Sequence, residues 1–186
     1  MRLFLFFIIL LLATFSCRKE AYFDKFTVDK NLSSNDTIRL LSKYPELKLF
    51  NNEMIESPTR TAFIIQTASF SDANHARRII PFDNYKCKAI YKNDTLEIWL
   101  NNNNGYFGNG VLVQVFGDHF RIKDINPKAL NNEVKFIKTN ILRQKLVLNQ
   151  DHFQKNDSIY GFINYQCEID SLVHKDFKGY FKTIIQ

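Results

Sequence analysis

The stretch Lys86–Leu100, KCKAIYKNDTLEIWL, consists of two alternating runs on either side of the dipeptide Asn93-Asp94. Apolar residues recur at every second position, which is typical of strands with one buried face. Asn and Asp tolerate the left-handed backbone geometry of a tight turn. The sequence therefore predicts an antiparallel hairpin. Its apolar face would carry Cys87, Ala89 and Tyr91 from the first strand and Leu96, Ile98 and Leu100 from the second.

Strand patterns of the same kind precede the hairpin and continue to the end of the chain. The further predicted strands are Ala62–Phe70, Val111–Val115, Phe120–Ile125, Val134–Lys138, Ile141–Leu148, Ser158–Asp170 and Gly179–Ile185. About eight or nine strands at roughly ten-residue spacing, mostly joined by short turns, are typical of antiparallel domains. We predict a mainly all-β fold, an antiparallel β-sandwich, with a lipocalin-like β-barrel as the alternative.

Two short helices are predicted in the N-terminal half. The first covers residues 37–44, with Ser34–Asp36 as its cap, and ends before Pro45 because proline disfavours helical geometry in the residue before it. The second covers residues 71–80, capped by Ser71 or its neighbour and stopped by Pro81.

The first seventeen residues, MRLFLFFIILLLATFSC, have the pattern of an export signal. Arg2 supplies a positive charge, and the apolar run Leu3–Leu12 is shorter than the roughly 20 residues of a transmembrane helix. The end of the stretch, Thr14–Cys17, resembles the lipobox of bacterial lipoproteins, in which a small residue precedes an obligatory cysteine. The resemblance implies that residues 1–16 are removed as a signal peptide and that Cys17 is lipidated. An ordinary signal peptide and an uncleaved anchor helix are the alternatives.

The lipobox resemblance also implies a location. The protein would be exported and anchored to the cell envelope, with the membrane as its partner through the N-terminal lipid. Arg18 follows the cysteine where some lipoproteins carry an Asp that retains them in the inner membrane, so the outer membrane is favoured. Whether the protein faces the periplasm or the surface stays open. Residues 17–32 are predicted to be the lipidated N-terminus and a tether, and residues 33–186 a single β-rich domain.

Composition restricts the partners. The 186-residue chain has a formal charge of +6, but its lysines and arginines form no dense tract. Nucleic acid is therefore not expected, whereas a mildly basic surface suits anionic headgroups or polysaccharide. The 18 phenylalanines and 8 tyrosines suit either a packed core or a lined cavity. The oligomeric state is not predicted.

Cys87 and Cys167 both lie on the apolar face of their predicted strands. An exported compartment permits a disulfide between them, provided that their Cα atoms approach within about 4.4–6.8 Å. The alternative is a pair of buried free thiols that act as small hydrophobic residues.

Catalytic and metal-binding motifs are not recognisable. The four histidines are too scattered for a metal-ligand spacing, and no serine lies in a nucleophile motif. We therefore predict no metal, no cofactor and no catalytic residue.

The loop Asn101–Gly110, NNNNGYFGNG, has the most unusual local sequence. Asn103 offers an amide, Tyr106 and Phe107 offer aromatic faces, and Trp99 precedes the loop on the polar face of its strand. Amides and rings of this kind are used to bind glycans or peptides, so these residues are the candidate contact surface. The alternative is a long hairpin loop that binds nothing.

Four tripeptides resemble the O-glycosylation acceptor (Asp, then Ser or Thr, then an apolar residue) of exported proteins in some Gram-negative groups. The alternative is that the same residues form turns. The acceptor residues would be Thr37, Thr95, Ser158 and Ser171.

The sequence leaves three functions open. The first is a non-catalytic binding or assembly module of the cell envelope that contacts an envelope protein or a glycan through the surface near Trp99–Gly110. The second is a β-barrel carrier of a lipid or another apolar ligand. The third is an envelope enzyme without a recognisable motif.

Overall fold

The computed structural model describes residues 23–47, 55–71, 77–84, 86–100, 110–126, 134–169 and 173–186. The strands are β1 (Asp24–Lys25), β2 (Thr27–Val28), β3 (Ala62–Ser71), β4 (Arg77–Asn84), β5 (Cys87–Lys92), β6 (Thr95–Leu100), β7 (Val111–Phe116), β8 (His119–Ile125), β9 (Phe136–Ile137), β10 (Thr139–Leu148), β11 (Ser158–Ile169) and β12 (Val173–Ile184). A 3-10 turn (Leu32–Ser34) and one helix, α1 (Asp36–Leu41), lie between β2 and β3.

The strands form two sheets. Sheet A has the order β1-β8-β7-β6-β5, with β9 also paired to β8, and sheet B has the order β2-β10-β11-β12-β3-β4. Apart from the parallel pair β2 and β10, the strand pairs in the two sheets are antiparallel. The predicted all-β sandwich is therefore confirmed. The lipocalin-like barrel is wrong, because the described strands divide between two facing sheets instead of closing one.

The β5–β6 hairpin forms as predicted. Lys92 pairs with Thr95, and the two turn residues Asn93 and Asp94 have φ values of 50° and 55°. Positive φ at both central residues is the geometry of the type I′ turn, whose twist matches that of the strands.

The core lies between the inner faces of the two sheets. Ile98 of sheet A and Ile163 of sheet B, for example, are completely buried within it. Two strand glycines allow close packing there. A Cβ on Gly161 would overlap the ring of its cross-strand partner Phe181, and a Cβ on Gly179 would overlap the backbone of Phe63.

The two ends of the described chain connect the sheets at opposite edges. Near the N-terminus, β1 pairs with β8 of sheet A and β2 pairs with β10 of sheet B, while Phe26 between them is buried. Near the C-terminus, Ile185 bridges Ala89 of β5. The predicted tether 17–32 therefore needs correction, because residues from Asp24 onward pair with the sheets and belong to the folded domain.

The two helix predictions have different outcomes. Helix α1 is present, and the Asn35 side chain caps it by accepting hydrogen bonds from the backbone of Thr37 (3.0 Å) and Ile38 (3.4 Å). The second predicted helix is wrong, because Arg77–Asn84 is strand β4 paired to β3. Pro81 is tolerated there because β4 is the edge strand of sheet B, where a missing N–H breaks no further ladder.

Candidate functional site

A cleft of about 670 Å³ opens where the end of β12 meets the start of β5. Backbone hydrogen bonds hold its walls together. Gln186 N–H donates to the Ala89 carbonyl (3.0 Å), and Asn156 N–H donates to the Ile185 carbonyl (2.8 Å). The Thr61 hydroxyl accepts from Cys87 N–H (2.7 Å). The volume is typical of small-ligand sites.

Glu46 organises one wall of the cleft. Its side chain is almost completely buried, and one carboxylate oxygen accepts the backbone N–H groups of Glu56 (2.6 Å) and Ser57 (3.1 Å). Its other oxygen lies 3.9 Å from the Lys86 ammonium. Glu46 thus holds the segment 55–57 in place and positions one cleft lysine by charge.

The remaining cleft lysines come from three separate parts of the chain. Lys88 lies on β5, Lys155 in the turn before β11, and Lys182 on β12. Lys182 donates to the Ser42 hydroxyl, and partial burial lowers the pKa of its ammonium. Lys88 and Lys155 are solvent-exposed.

The charge of the cleft is positive. Four lysines and two glutamates, Glu46 and Glu56, line it. Because Glu46 is already committed to backbone N–H groups, its charge is partly neutralised inside the wall. A concave surface with an excess of one sign of charge attracts ligands of the opposite sign. This arrangement can bind an anionic group.

The predicted contact surface adjoins the cleft through one residue. Trp99 pairs directly with Lys88 across β5 and β6, and side chains in such pairs are about 5 Å apart. Trp99 is half-buried, and its indole N–H has no hydrogen-bond partner among the described residues. Asn103, Tyr106 and Phe107 lie outside the described residues.

The disulfide prediction is wrong. Cys87 and Cys167 are both free, buried thiols. The strand registers place Cys87 in one row with Asp124, three strand spacings or about 14 Å away. The Cys167 sulfur lies 3.6 Å from Asp124 Oδ2, far from Cys87 along the sheet. Burial raises the pKa of both thiols, that of Cys167 to about 12, so neither is an activated nucleophile.

A buried polar cluster inside the sandwich was missed from the sequence. Asp124 on β8 faces Tyr165 and Cys167 on β11 and Lys175 on β12. Tyr165 donates its hydroxyl to Asp124 Oδ2 at 2.5 Å, and Lys175 forms an ion pair with Oδ1. One signal in the sequence could have revealed Asp124 and Lys175. Each stands on the buried face of its strand, in phase with the core residues.

The predicted glycosylation residues have different environments. Ser158 is exposed at the start of β11, whereas Thr37 and Thr95 are partly buried. Ser171 lies outside the described residues. Glycosylation stays a prediction.

In the part of the chain that the structure describes, no helix is long and apolar enough to cross a membrane. No group of three or more His, Cys, Asp or Glu side chains in the same residues is placed to hold a metal ion.

Fold and site together define a β-sandwich with a lysine-lined cleft at one edge. Comparison with known proteins adds no relative: no family model matches the chain, and neither a curated protein nor a solved structure is significantly similar to it.

Proposed function

We propose that this protein is a lipid-anchored binding module of the cell envelope and that its lysine-lined cleft binds an acidic glycan. The observation that carries the proposal is the convergence of Lys86, Lys88, Lys155 and Lys182 on one concave surface. Carboxylate or phosphate groups on a saccharide would pair with the exposed lysines.

The chemistry of the cleft suits a saccharide in two further ways. Tyr160 lines the cleft and offers an aromatic face, on which the apolar face of a sugar ring can pack. Ser158 and Asn156 add a hydroxyl and an amide for sugar hydroxyls. Trp99, beside Lys88, extends this surface along β6.

The apolar-carrier hypothesis is weaker than the binding module. It required a closed barrel around a cavity, whereas the described strands form two sheets. The side chains between those sheets, such as Leu96 and Phe177, pack into one continuous core. No observation on the described residues favours a third, enzymatic function over a binding module.

Glycan binding is tested by titrating the protein with oligogalacturonate, an acidic oligosaccharide, and with an uncharged maltooligosaccharide. We expect calorimetric binding of the acidic probe alone, weakened by salt. Lys88→Gln combined with Lys155→Gln should weaken it roughly 2- to 30-fold, since an exposed ion pair contributes about 0.2–1 kcal/mol. The matched control is Lys145→Gln, which changes an exposed lysine on β10 outside the cleft. Equal affinity of the double variant and the control would contradict the proposal.

The anchor is tested separately. Cys17→Ala should release the protein from membranes and abolish incorporation of labelled palmitate, because the variant lacks the sulfur that carries the acyl chains. Continued membrane association together with palmitate labelling would show that Cys17 is not the anchor.

A further inference from the structure

The interior of the sandwich brings an amine and a carboxyl group into direct contact. Asp124 comes from sheet A and Lys175 from sheet B, and their side chains are 1% and 5% exposed. Lys175 Nζ contacts Asp124 Oδ1. The surroundings, including Cys167 and Phe177, belong to the hydrophobic core. The two groups therefore meet almost completely out of contact with solvent.

The environment of Lys175 offers few hydrogen-bond partners to its side chain. An ammonium group has three N–H donors, but Lys175 has Asp124 as its one hydrogen-bond acceptor among the described residues. The Phe177 ring lies 5.4 Å from Nζ, and the Cys167 thiol is also close enough to interact with the Lys175 charge. A single proton transfer from Nζ to the contacting Oδ1 converts the pair into an amine, which is a nucleophile, beside a carboxylic acid.

The second carboxyl oxygen is held by proton donors. Tyr165 donates its hydroxyl to Asp124 Oδ2 at 2.5 Å, and the Cys167 thiol points at the same atom from 3.6 Å. Burial and the neighbouring Asp124 carboxylate raise the pKa of both groups, so both keep their protons. Donors fixed on a carbonyl oxygen stabilise the negative charge that develops there when the carbon is attacked.

We propose that Lys175 and Asp124 condense into an intramolecular isopeptide bond. Lys175 Nζ attacks Asp124 Cγ, and the developing oxyanion at Oδ2 is held by the Tyr165 hydroxyl. The Nζ–Cγ bond forms and the Cγ–Oδ1 bond breaks. Oδ1 leaves as water with the carboxylic acid proton and one amine proton, so that atoms and charges balance without an oxidant or a co-reactant.

The product would change the core in two ways. A neutral amide replaces a buried ion pair, whose desolvation opposes folding. The bond also joins β8 to β12 across the sandwich, linking positions 51 residues apart in sequence. A covalent bond of this kind restricts the unfolded chain as a disulfide does. Cys87 and Cys167 are too far apart to provide such a disulfide.

Peptide mapping of the full-length protein under denaturing conditions tests the proposal. A protease that cleaves after Lys and Arg should yield residues 124–128 joined to residues 156–178, because a modified Lys175 resists cleavage. The joined species is lighter by one water molecule than the sum of its two peptides, and fragmentation places the link between Lys175 and Asp124. Quantitative recovery of residues 124–128 as a free peptide would overturn the proposal.

Two variants separate the chemistry from folding. Lys175→Met removes the nucleophile with little change in volume, so it should give unlinked peptides, whereas the control Lys145→Met, at an exposed lysine of β10, should leave the link intact. Tyr165→Phe retains the ring but loses the donor, so the linked fraction should rise more slowly after synthesis. Linking at an unchanged rate would exclude Tyr165 as a catalytic residue. The wild-type map decides on the bond itself even if a variant fails to fold.

Discussion

Two lysine–carboxylate pairs of this molecule are alike in composition and different in surroundings. Glu46 and Asp124 are both almost completely buried, and each has one lysine partner. Glu46 is satisfied by backbone N–H groups, and Lys86 lies 3.9 Å away at the edge of an open cleft. Among the described residues, the Asp124 carboxylate has side-chain partners alone, all within the core, and the side chain of Lys175 is more deeply buried than that of Lys86.

The difference lies in what else surrounds each pair. At the cleft, backbone N–H groups stabilise the Glu46 carboxylate, and Lys86 lies beside an open concave surface, where we propose that an anionic ligand binds. Between the sheets, both side chains are almost completely buried and face each other directly, and there we propose that they condense. The same two side-chain types thus suit ligand binding in one place and covalent chemistry in the other.

Breaking the core pair should have the largest effect on stability. Asp124→Ala leaves Lys175 buried without its partner, and we expect a loss of about 3–5 kcal/mol in the free energy of unfolding, measured with urea. The control is the double variant Asp124→Leu with Lys175→Met, which removes the unpaired buried amine and should be more stable than Asp124→Ala, although it also lacks the proposed bond. A single variant as stable as the wild type would contradict a buried, paired Asp124.

Breaking the cleft pair should have a smaller effect. Glu46→Ala leaves the backbone N–H groups of Glu56 and Ser57 without an acceptor, which costs about 1–3 kcal/mol when such groups are buried. Urea unfolding measures this, and Glu56→Ala, at an exposed side chain in the same wall, should change stability by less than about 0.5 kcal/mol. Equal losses in both variants would mean that Glu46 does not hold the segment 55–57.

The sequence was informative where structure is local. The Lys86–Leu100 hairpin and helix α1 follow from alternation, turn residues and a cap within a few positions. For residues 77–80 the local pattern predicted a helix. This prediction is wrong because these residues pair with β3 as a strand. Tertiary pairing of this kind cannot be read from the segment alone.

The candidate sites were predictable to different degrees. The lysines of the cleft come from segments far apart in sequence, and only the folded sheets bring them together. The core pair had a local signal, since Lys175 alternates with Phe177 on the inner face of β12. Asp124 likewise shares a face with Ile122 and Phe120. This pattern on two strands predicts that both charged residues are buried. It does not predict that the two side chains contact each other.

The reactivity of the two thiols tests the burial of the core without a measurement of stability. In the Cys17→Ala variant, Cys87 and Cys167 should react very slowly with Ellman's reagent in the folded state, because burial raises their pKa and excludes the reagent. Unfolding in guanidinium without a reductant should expose two reactive thiols per chain. Recovery of none would mean that the two cysteines are bridged after all.

The smallest expected effect is the pH dependence contributed by Lys182 at the cleft. Burial lowers the pKa of its ammonium in the folded state below that of the unfolded chain. Between these two pKa values the unfolded state binds more protons, so stability should rise with pH through this window and level off above the unfolded lysine value of about 10.4. Lys182→Met removes this contribution. We therefore expect the wild type to gain stability relative to the variant as the pH rises from neutral to alkaline. The free energy of unfolding is measured by urea titration at each pH. Parallel curves would mean that the cleft leaves Lys182 as well hydrated as the unfolded chain does, which would make the cleft and core lysines differ even more sharply.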